Sequence, residues 1–451
     1  MRAAVESARA AFAAIVGASR VVTDPSACAA LSVDGQTPQC VVYSTTPEET
    51  AAVLRLAAER ELGVIPCRNG TKLAVGNPPR RYDVALSLKD MNRVWHYEPA
   101  DLTITAEPGM KFGDFQHFVE RQGLWLPLDP PGGARASLGG IVATNAAGPL
   151  RLAYGAPRDM VLGMRIATTQ GKVFKTGGRV VKNVTGYDIG KLLIGSYGTL
   201  GVIVEISFKL FPLPSECATF AIRAGTLGIA RDLRRRILHS PLVPARMVLL
   251  DAAAARLACA EASAEVGTKE PELWLEMHGS KRVIQRAQHD LESLAAAAGT
   301  AAAAVEGGQA EEVWTRVTDL AAWAAGPSPG AALLKATLPD SAIEELISRA
   351  EQEAEGETVR LAAVAQLGVG VAHFCVLSEM APPAIADFIR RLRAAAEALG
   401  GALIVERCPL GVKEAMDVWG APGSDFALMG KMKATWDPKG TLAPGRFLGR
   451  L

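Results

Sequence analysis

Apolar positions recur with two periods along this chain, and the places where the period changes mark its elements. Residues 41–67 read as strand, helix, strand: an apolar run at VVY, then Val53, Leu54, Leu56, Ala57 and Ala58 at helical spacing opposite Arg55, Glu59 and Arg60, then VIPC. Thr46 with Glu49 three residues later has the form of a capping box, Pro47 suits the first helical position, and Gly63 is expected to end the helix. Alternating segments at DVALSL, RVWHY and LTITAE predict strands, 111–121 a helix, and MRIATT and KVFKT two further strands. Pro212 and Pro214 close this region.

Beyond the prolines the character changes. Ala-rich helices such as 229–238 and 281–298 alternate with strands at ATFAIRA and ELWLEM, which predicts a second α+β domain. The Ala/Gly patch 297–309 reads as a surface loop, and a helix around 425–435 precedes the turn-rich ending WDPKGTLAPGRF. The uncharged run 361–378 contains Gln366, Gly368, Gly370 and His373, so two strands meeting near the glycines are expected in place of a membrane span. Glu6 and Arg9 interrupt the apolar N-terminal stretch, which favours a helix over a signal peptide. No internal repeat of fixed period is visible. The divisions expected are a lead-in at 1–35, a first domain at 36–214, a second at 215–400, and a segment at 401–451 that packs back on the first.

Charge removes several function classes. With 48 basic and 47 acidic residues in 451, and no long run of one sign, neither nucleic acid nor an anionic membrane is an electrostatic partner. The 7 cysteines are scattered, with no C-x-x-C pair, which argues for reduced thiols and a cytoplasmic setting. Closely spaced cysteines that would announce an iron–sulfur cluster or zinc site are absent from the sequence, so no metal is expected and electrons leaving this chain need a carrier elsewhere.

Three glycine-rich segments carry the candidate chemistry. A dinucleotide sets two adjacent phosphates against a protein, and small residues let backbone N–H groups point at them unobstructed. RNGTKLAVG has this character directly after a strand, yet it lacks both GxGxxG and GxxxxGK[ST]; by itself it is equally a plain turn. LPLDPPGGARASLGGIVATNAAG contains Gly139 and Gly140 beside Ala143, Ala146 and Ala147, a helix with one nearly bare side, which either a ligand or tight helix packing explains. Gly195, Gly198 and Gly201 lead into a β-branched strand on which a flat ring can rest, or which is simply a glycine-rich hairpin approach.

The order and spacing of the three segments, with KNVTGYDIGKLLIGSYGTLGVI as the most specific stretch, resemble the FAD-binding domain of the vanillyl-alcohol oxidase and p-cresol methylhydroxylase (PCMH-type) superfamily. Within it the chain is most similar to bacterial glycolate oxidase FAD-binding subunits of the E type, over 36–214 and again at DPKGTLAPGRF. The resemblance implies an α+β fold: a two-subdomain PCMH-type FAD-binding domain with a second α+β cap domain. It implies that Arg68, Asn69, Gly70, Thr71, Lys72 and Gly76 cradle the pyrophosphate, that Pro130, Ser137, Gly139, Gly140 and Asn145 lie along the flavin and its ribityl chain, and that Gly198, Gly201 and Ile203 lie near the rest of the dinucleotide. The loop offers Lys72 where covalent relatives commonly place a histidine, so non-covalent FAD is expected. The implied partners are a D-type flavin subunit and an iron–sulfur subunit, with a small 2-hydroxyacid such as glycolate as substrate and, through those partners, a peripheral place at the inner face of the membrane.

The second domain departs from its relatives. Their His-rich motif and Glu-His-Gly-like motif correspond here to AQLGVGVAHF and ERCPLG. Oxidation of a 2-hydroxyacid needs a base for the hydroxyl proton and a cation for the carboxylate. His373 and Arg407 are the candidates, against the plainer readings of a core histidine and a solvated arginine; Cys408 reads as a small buried residue, and Lys433 and Arg446 as phosphate or flavin contacts or surface salt bridges. Two other functions remain open: a non-catalytic FAD relay or scaffold subunit, and a stand-alone flavin oxidase of another alcohol.

Overall fold

The computed structural model describes residues 2–179, 187–259, 270–320 and 330–451. Its first layer is a four-stranded sheet ordered Val21–Val22, Cys40–Tyr43, Val84–Ser87, Val64–Cys67, the last three parallel. The two strands expected on either side of the first helix do not pair with each other. The strand Val84–Ser87 inserts between them, and the helix Pro47–Glu59 makes the crossover. Thr46 Oγ1 accepts from the Glu49 N–H at 3.1 Å as the sequence predicts, whereas the Glu49 carboxylate accepts from the Thr45 N–H at 2.9 Å and from Arg20. The box is therefore closed one residue early. The left-handed residue after the helix is Glu61 (φ 54°) and not Gly63. Gly63 is needed for another reason, because a Cβ there would lie 2.5 Å from the Arg81 carbonyl oxygen.

The second layer is an antiparallel five-stranded sheet ordered Val94–Glu98, Thr103–Ala106, Val202–Lys209, Val161–Ala167, Val173–Gly177. Ala51, Val53, Leu54 and Ala57 join the first helix to a core that also takes Ala167, Val202 and Val204 from this sheet, and the N-terminal helix Arg2–Val16 adds Ala8, Phe12 and Val16. The far face of the sheet packs on the helices Phe112–Glu120 and Leu138–Thr144 through Phe115, Val119, Ile141 and Phe208.

The second domain is an eight-stranded antiparallel sheet ordered Ala302–Val305, Glu216–Arg223, Glu272–Gly279, Pro244–Leu250, Val359–Gln366, Val371–Ser378, Ala332–Thr337, Ala402–Arg407. Along the chain this is a strand, helix, strand, strand, helix, strand unit made twice, first over 216–305, where the helix Ala252–Cys259 is added between its second and third strands, and then over 332–407. The helices Leu227–Leu238, Lys281–Ala297, Ile343–Ala354 and Pro382–Ala398 cover one face through residues such as Leu233, Leu291, Ile347 and Phe388. On the other face Val248, Trp274 and Val364 pack with Ala254, Val313 and Trp314. The two units share a topology without a shared sequence spacing, which is why no repeat shows in the sequence.

Two segments differ from their sequence expectation. The patch at 297–309 contains the edge strand Ala302–Val305, because its small residues pair with 219–222 at the sheet margin. The strand Ala402–Arg407, expected in the segment that returns to the first domain, instead closes the cap sheet against Ala332–Thr337. The chain crosses back afterwards: the Val64 N–H donates to the Thr441 carbonyl and the Ala443 N–H to the Val64 carbonyl, both at 2.8 Å. Among the described residues no helix is long and apolar enough to cross a membrane.

Candidate functional site

The first glycine-rich loop leaves the strand Val64–Cys67 and is held open by hydrogen bonds at its base. Arg68 Nε donates to the Gly109 carbonyl at 2.9 Å and Asn69 Nδ2 to the Arg135 carbonyl at 2.6 Å, while Gly70 takes φ 73°. The second segment begins the helix Leu138–Thr144, capped by Ser137 Oγ, which accepts from the Gly140 N–H at 3.2 Å. The third brings Tyr197 (φ 54°) and Gly198 (φ 71°) to the same place, just before the strand Val202–Lys209.

These segments line one groove of about 980 Å³, measured to its open mouth. Arg68, Asn69, Gly70, Thr71, Lys72, Ser137, Gly139, Gly140, Gly198, Gly201 and Ile203 all border it. Gly76, Pro130 and Asn145 do not border it. A Cβ on Gly76 would lie 2.7 Å from the Arg446 carbonyl oxygen, so this glycine admits the returning C-terminal segment. The Pro130 carbonyl accepts from the Gly133 N–H at 2.9 Å inside a turn, and Asn145 caps the helix C-terminus in the left-handed region (φ 47°) with its Oδ1 accepting from the Arg158 N–H. The bare helix side divides its two glycines. A Cβ on Gly139 would come within 2.6 Å of Pro108 Cβ, so tight packing accounts for it; a Cβ on Gly140 would meet only Ser137 Oγ, at 3.1 Å, and its remaining side faces the groove. Lys182 to Gly186 of the most specific stretch lie outside the described residues.

The groove suits an elongated, polyanionic, partly aromatic ligand. Arg446 lines it with Nη2 spent on the Leu73 carbonyl at 2.6 Å and on the Val75 carbonyl, while Nη1 is buried with no partner among the described residues. A buried guanidinium donor left unpaired costs about 1–3 kcal/mol, so an acceptor on a ligand is its natural complement. Burial lowers the guanidinium pKa, with Asp34 and Tyr82 opposing. The Tyr197 ring packs on Trp419 with centroids 4.8 Å apart, and both residues border the groove. Non-polar walls, backbone donors and one unmatched cation are what FAD asks of a protein, and the residues fit that group.

A second cavity adjoins the first and lies between the domains. Its cap-side wall includes Leu333, Gln366, His373, Glu406 and Arg407, and its flavin-side wall Pro131 and Gly148. Both predicted catalytic candidates, His373 and Arg407, are therefore brought together here. Lys335 stands directly opposite His373 in the sheet, and the register slips between the pairs Leu333↔Arg407 and Leu334↔Val405, which leaves Glu406 as the extra residue of a bulge. Burial pushes His373 down to about 4, partly opposed by Glu406, so its imidazole is neutral at pH 7. Burial alone would raise the Glu406 carboxyl, yet Lys335, His373 and Lys72 together hold it below its ordinary value; with His373 neutral, the two lysines carry that effect. Gln366 Oε1 is buried with no partner among the described residues. Cys408 lies beside the cap core, its thiol pushed up to about 12 by burial, which makes it inert.

Sequence reading missed Glu406 in this cavity, Lys335 across the sheet from His373, and Tyr197 and Trp419 in the groove. The available signal was charge within apolar strands: Lys335 in ALLKAT, and Glu406 beside Arg407 in ALIVER. It missed the seam as well. Tyr154 Oη meets His278 Nδ1 at 2.8 Å, His278 Nε2 meets Glu276 Oε1 at 2.7 Å, and Arg246, stacked 4.0 Å over Trp314, donates to Glu276 Oε2 at 2.7 Å. This chain of polar contacts joins the flavin-side helix Arg151–Tyr154 to the cap sheet.

Comparisons with known proteins give the family and the fold. Residues 38–177 match the family described as FAD binding domain, and residues 213–447 match that described as FAD linked oxidases, C-terminal domain. The glycolate oxidase subunit GlcD of Bacillus subtilis is 27% identical over 92% of this chain and 89% of its own length. The glycolate oxidase subunit GlcE of Escherichia coli is 48% identical over 120 residues, 26% of this chain and 34% of that one. The mitochondrial D-lactate dehydrogenase [cytochrome] of Arabidopsis thaliana is 29% identical over 75% of this chain; the match spans 60% of that protein's length. A crystal structure of p-cresol methylhydroxylase with substrate bound superposes with TM-score 0.77 at 17% identity, covering 99% of this chain and 97% of that one, which shows a PCMH-type fold.

Proposed function

This chain belongs to the family of FAD-linked oxidases, and from that membership we propose that it is the FAD-binding subunit of a glycolate-oxidase-like complex that oxidises glycolate or a related 2-hydroxyacid. The observation that carries the reading is the junction of the two cavities: Thr71, Lys72 and Val75 border both, so a donor in the second cavity abuts a ligand in the first. FAD held in the groove supplies a two-electron hydride acceptor for a CH–OH donor.

The remaining work falls to the chain's own residues. Arg68, Asn69, Gly70 and Thr71 hold the cofactor's phosphates through side chains and backbone N–H groups, with Arg446 Nη1 offering a further donor, while Ser137, Gly140, Gly198, Gly201 and Ile203 give its flat and sugar parts close backbone contact. Gly76, Pro130 and Asn145 act on this site through the loop and helix ends they shape. Arg407, with Lys335 on the neighbouring strand, orients a carboxylate, and the neutral His373 takes the hydroxyl proton. The seam from Tyr154 to Arg246 ties the flavin-side helix Arg151–Tyr154 to the cap sheet, which carries the cap-side wall of the second cavity. Retention of FAD is non-covalent, because the loop 68–77 contains no histidine and the thiols nearest the site, Cys67 and Cys408, are pushed up to about 12 by burial. Electrons pass to a D-type flavin subunit and an iron–sulfur subunit; relatives that are themselves named subunits of glycolate oxidase support membership of a complex.

The test is spectroscopic. The purified chain is expected to be yellow, to release its flavin on acid precipitation, and to bleach on anaerobic addition of glycolate or D-lactate. A colourless protein that refuses added FAD refutes the cofactor reading; a yellow protein that neither donor bleaches, alone or with its partner subunits, refutes the substrate reading.

A further inference from the structure

The described residues hold two buried lysines, Lys413 and Lys433, and each is fully occupied, whereas Lys72 is half-buried. Lys413 Nζ donates to both carboxylate oxygens of Asp34 at 2.9 Å and to the Ala74 carbonyl at 2.6 Å. Lys433 Nζ donates to Asp437 Oδ2 and to the Thr199 and Leu442 carbonyls, each at 2.8 Å. These are lysines with a structural task, and their three donor positions are spent.

Lys72 is different in both place and partnership. Among the described residues it is the one ionisable side chain that borders both cavities, since the others common to the two walls are Thr71 and Val75. Its backbone is fixed by a turn in which the Val75 N–H donates to the Lys72 carbonyl at 3.2 Å. Among the described residues no hydrogen bond or ion pair holds its Nζ. The charges that act on it are Glu406 and Asp319, which favour its cationic form, and Lys335, which opposes it. Desolvation lowers its pKa ahead of all three, as expected for an ammonium withdrawn from water without a fixed partner.

We propose that Lys72 is the charge-coupling residue of the two-cavity site, its ammonium neutralising the negative charge that accumulates in the groove when a donor in the second cavity is oxidised, with Glu406 as its counter-charge in the resting state. The inference rests on the reading that FAD occupies the groove. Oxidation of a CH–OH group to a carbonyl sends one hydride from carbon to the cofactor and the hydroxyl proton to an acceptor in the second cavity. The cofactor then carries one more negative charge than before, and a cation at the junction of the two cavities stabilises that state relative to the oxidised one. The same position gives Lys72 a view of the donor's own charge, so an anionic donor and an electron-rich cofactor compete for one ammonium, and release of the oxidised product is coupled to the redox state of the groove.

The experiment is an anaerobic dye-equilibration titration of the FAD-loaded full chain, comparing wild type with Lys72→Met, Lys72→Arg and Glu406→Gln. Lys72→Met is expected to lower the midpoint potential by about 30 mV or more, a tenfold change in the oxidised-to-reduced ratio for a two-electron couple. Lys72→Arg keeps the wild-type value, and Glu406→Gln raises it, because removing the counter-charge leaves the cation free to act on the groove. A lysine that only props the loop would change FAD occupancy and leave the potential of the bound fraction where it was, and that result overturns the proposal. Should Lys72→Met shed its flavin, the sign of the Glu406→Gln shift decides: no shift, or a fall, overturns it. A wild-type chain that binds no FAD refutes the underlying reading instead, and so is distinguishable.

Discussion

Substituting Lys433→Met should loosen the clamp that holds the C-terminal segment against the flavin groove. Lys433 is 9% exposed, and its Nζ joins three pieces of chain: Asp437 at the end of its own helix, Thr199 in the third glycine-rich segment, and Leu442 beside the first sheet. Asp437 keeps two backbone donors after the substitution, from Thr441 at 2.9 Å and Leu442 at 2.8 Å, but two carbonyls lose their partner. Removing one member of a buried ion pair costs about 3–5 kcal/mol. The surviving donors, and the desolvation that already lowers the Lys433 pKa against the pull of Asp437, put the expected loss at the lower end, about 3 kcal/mol. For a unit of this size about 1 kcal/mol moves Tm by roughly 2–4 °C, so a fall of roughly 6–12 °C is expected. The assay is the release of flavin fluorescence on heating, with FAD in large excess for both proteins so that ligand stabilisation is equal. A Tm within 2 °C of wild type, with unchanged FAD affinity, would refute the argument that this lysine joins the groove to the tail.

Gly140→Val should weaken FAD binding at least tenfold, about 1.4 kcal/mol, with the far-UV spectrum unchanged, because its side chain enters the groove; Gly139→Val should instead destabilise the fold against Pro108, as a melting curve will tell. Asp129 is pushed up to about 7, chiefly by burial, with Arg246 and the Leu150 N–H opposing. The native chain therefore keeps a proton that the unfolded chain gives up near 3.9, and the stability this lends below that value is lost as pH rises through about 7, at no more than about 1.4 kcal/mol per pH unit. Asp129→Asn should accordingly gain on wild type in Tm between pH 5 and pH 8; a constant difference would contradict the assignment. Cys408→Ser should leave anaerobic reduction by substrate within twofold of wild type, and Cys408 should resist maleimide at pH 8, since its thiol is held near 12.

Local signals made much of the first domain legible. Apolar periodicity located the helix Pro47–Glu59 and its flanking strands, and the cap at Thr46 fell where a Thr-Pro-Glu-Glu run requires it. The three glycine-rich segments could be recognised as backbone surfaces, because a missing side chain is written in the sequence whatever the fold does with it. The order of the sheets was not legible: the strand Val84–Ser87 slips between two strands that a reader would have paired, and the doubled cap unit has no sequence period, since pairing partners are chosen by packing across the chain.

What the sequence determined by itself was therefore composition and local geometry: where the backbone lies bare, where helices start, and that the cysteines are scattered with no C-x-x-C pair. Tertiary structure decided function at the level of charge. Lys72 reads as part of a pyrophosphate cradle and Glu406 as the end of a strand; that the two share one cavity appears only when the cap sheet, with its bulge, is laid over the groove. Gly139 and Gly140 are adjacent and chemically identical, yet one faces Pro108 and the other the groove. Electrostatic coupling depends on distance and dielectric, and both are properties of the folded surroundings, not of neighbours in sequence.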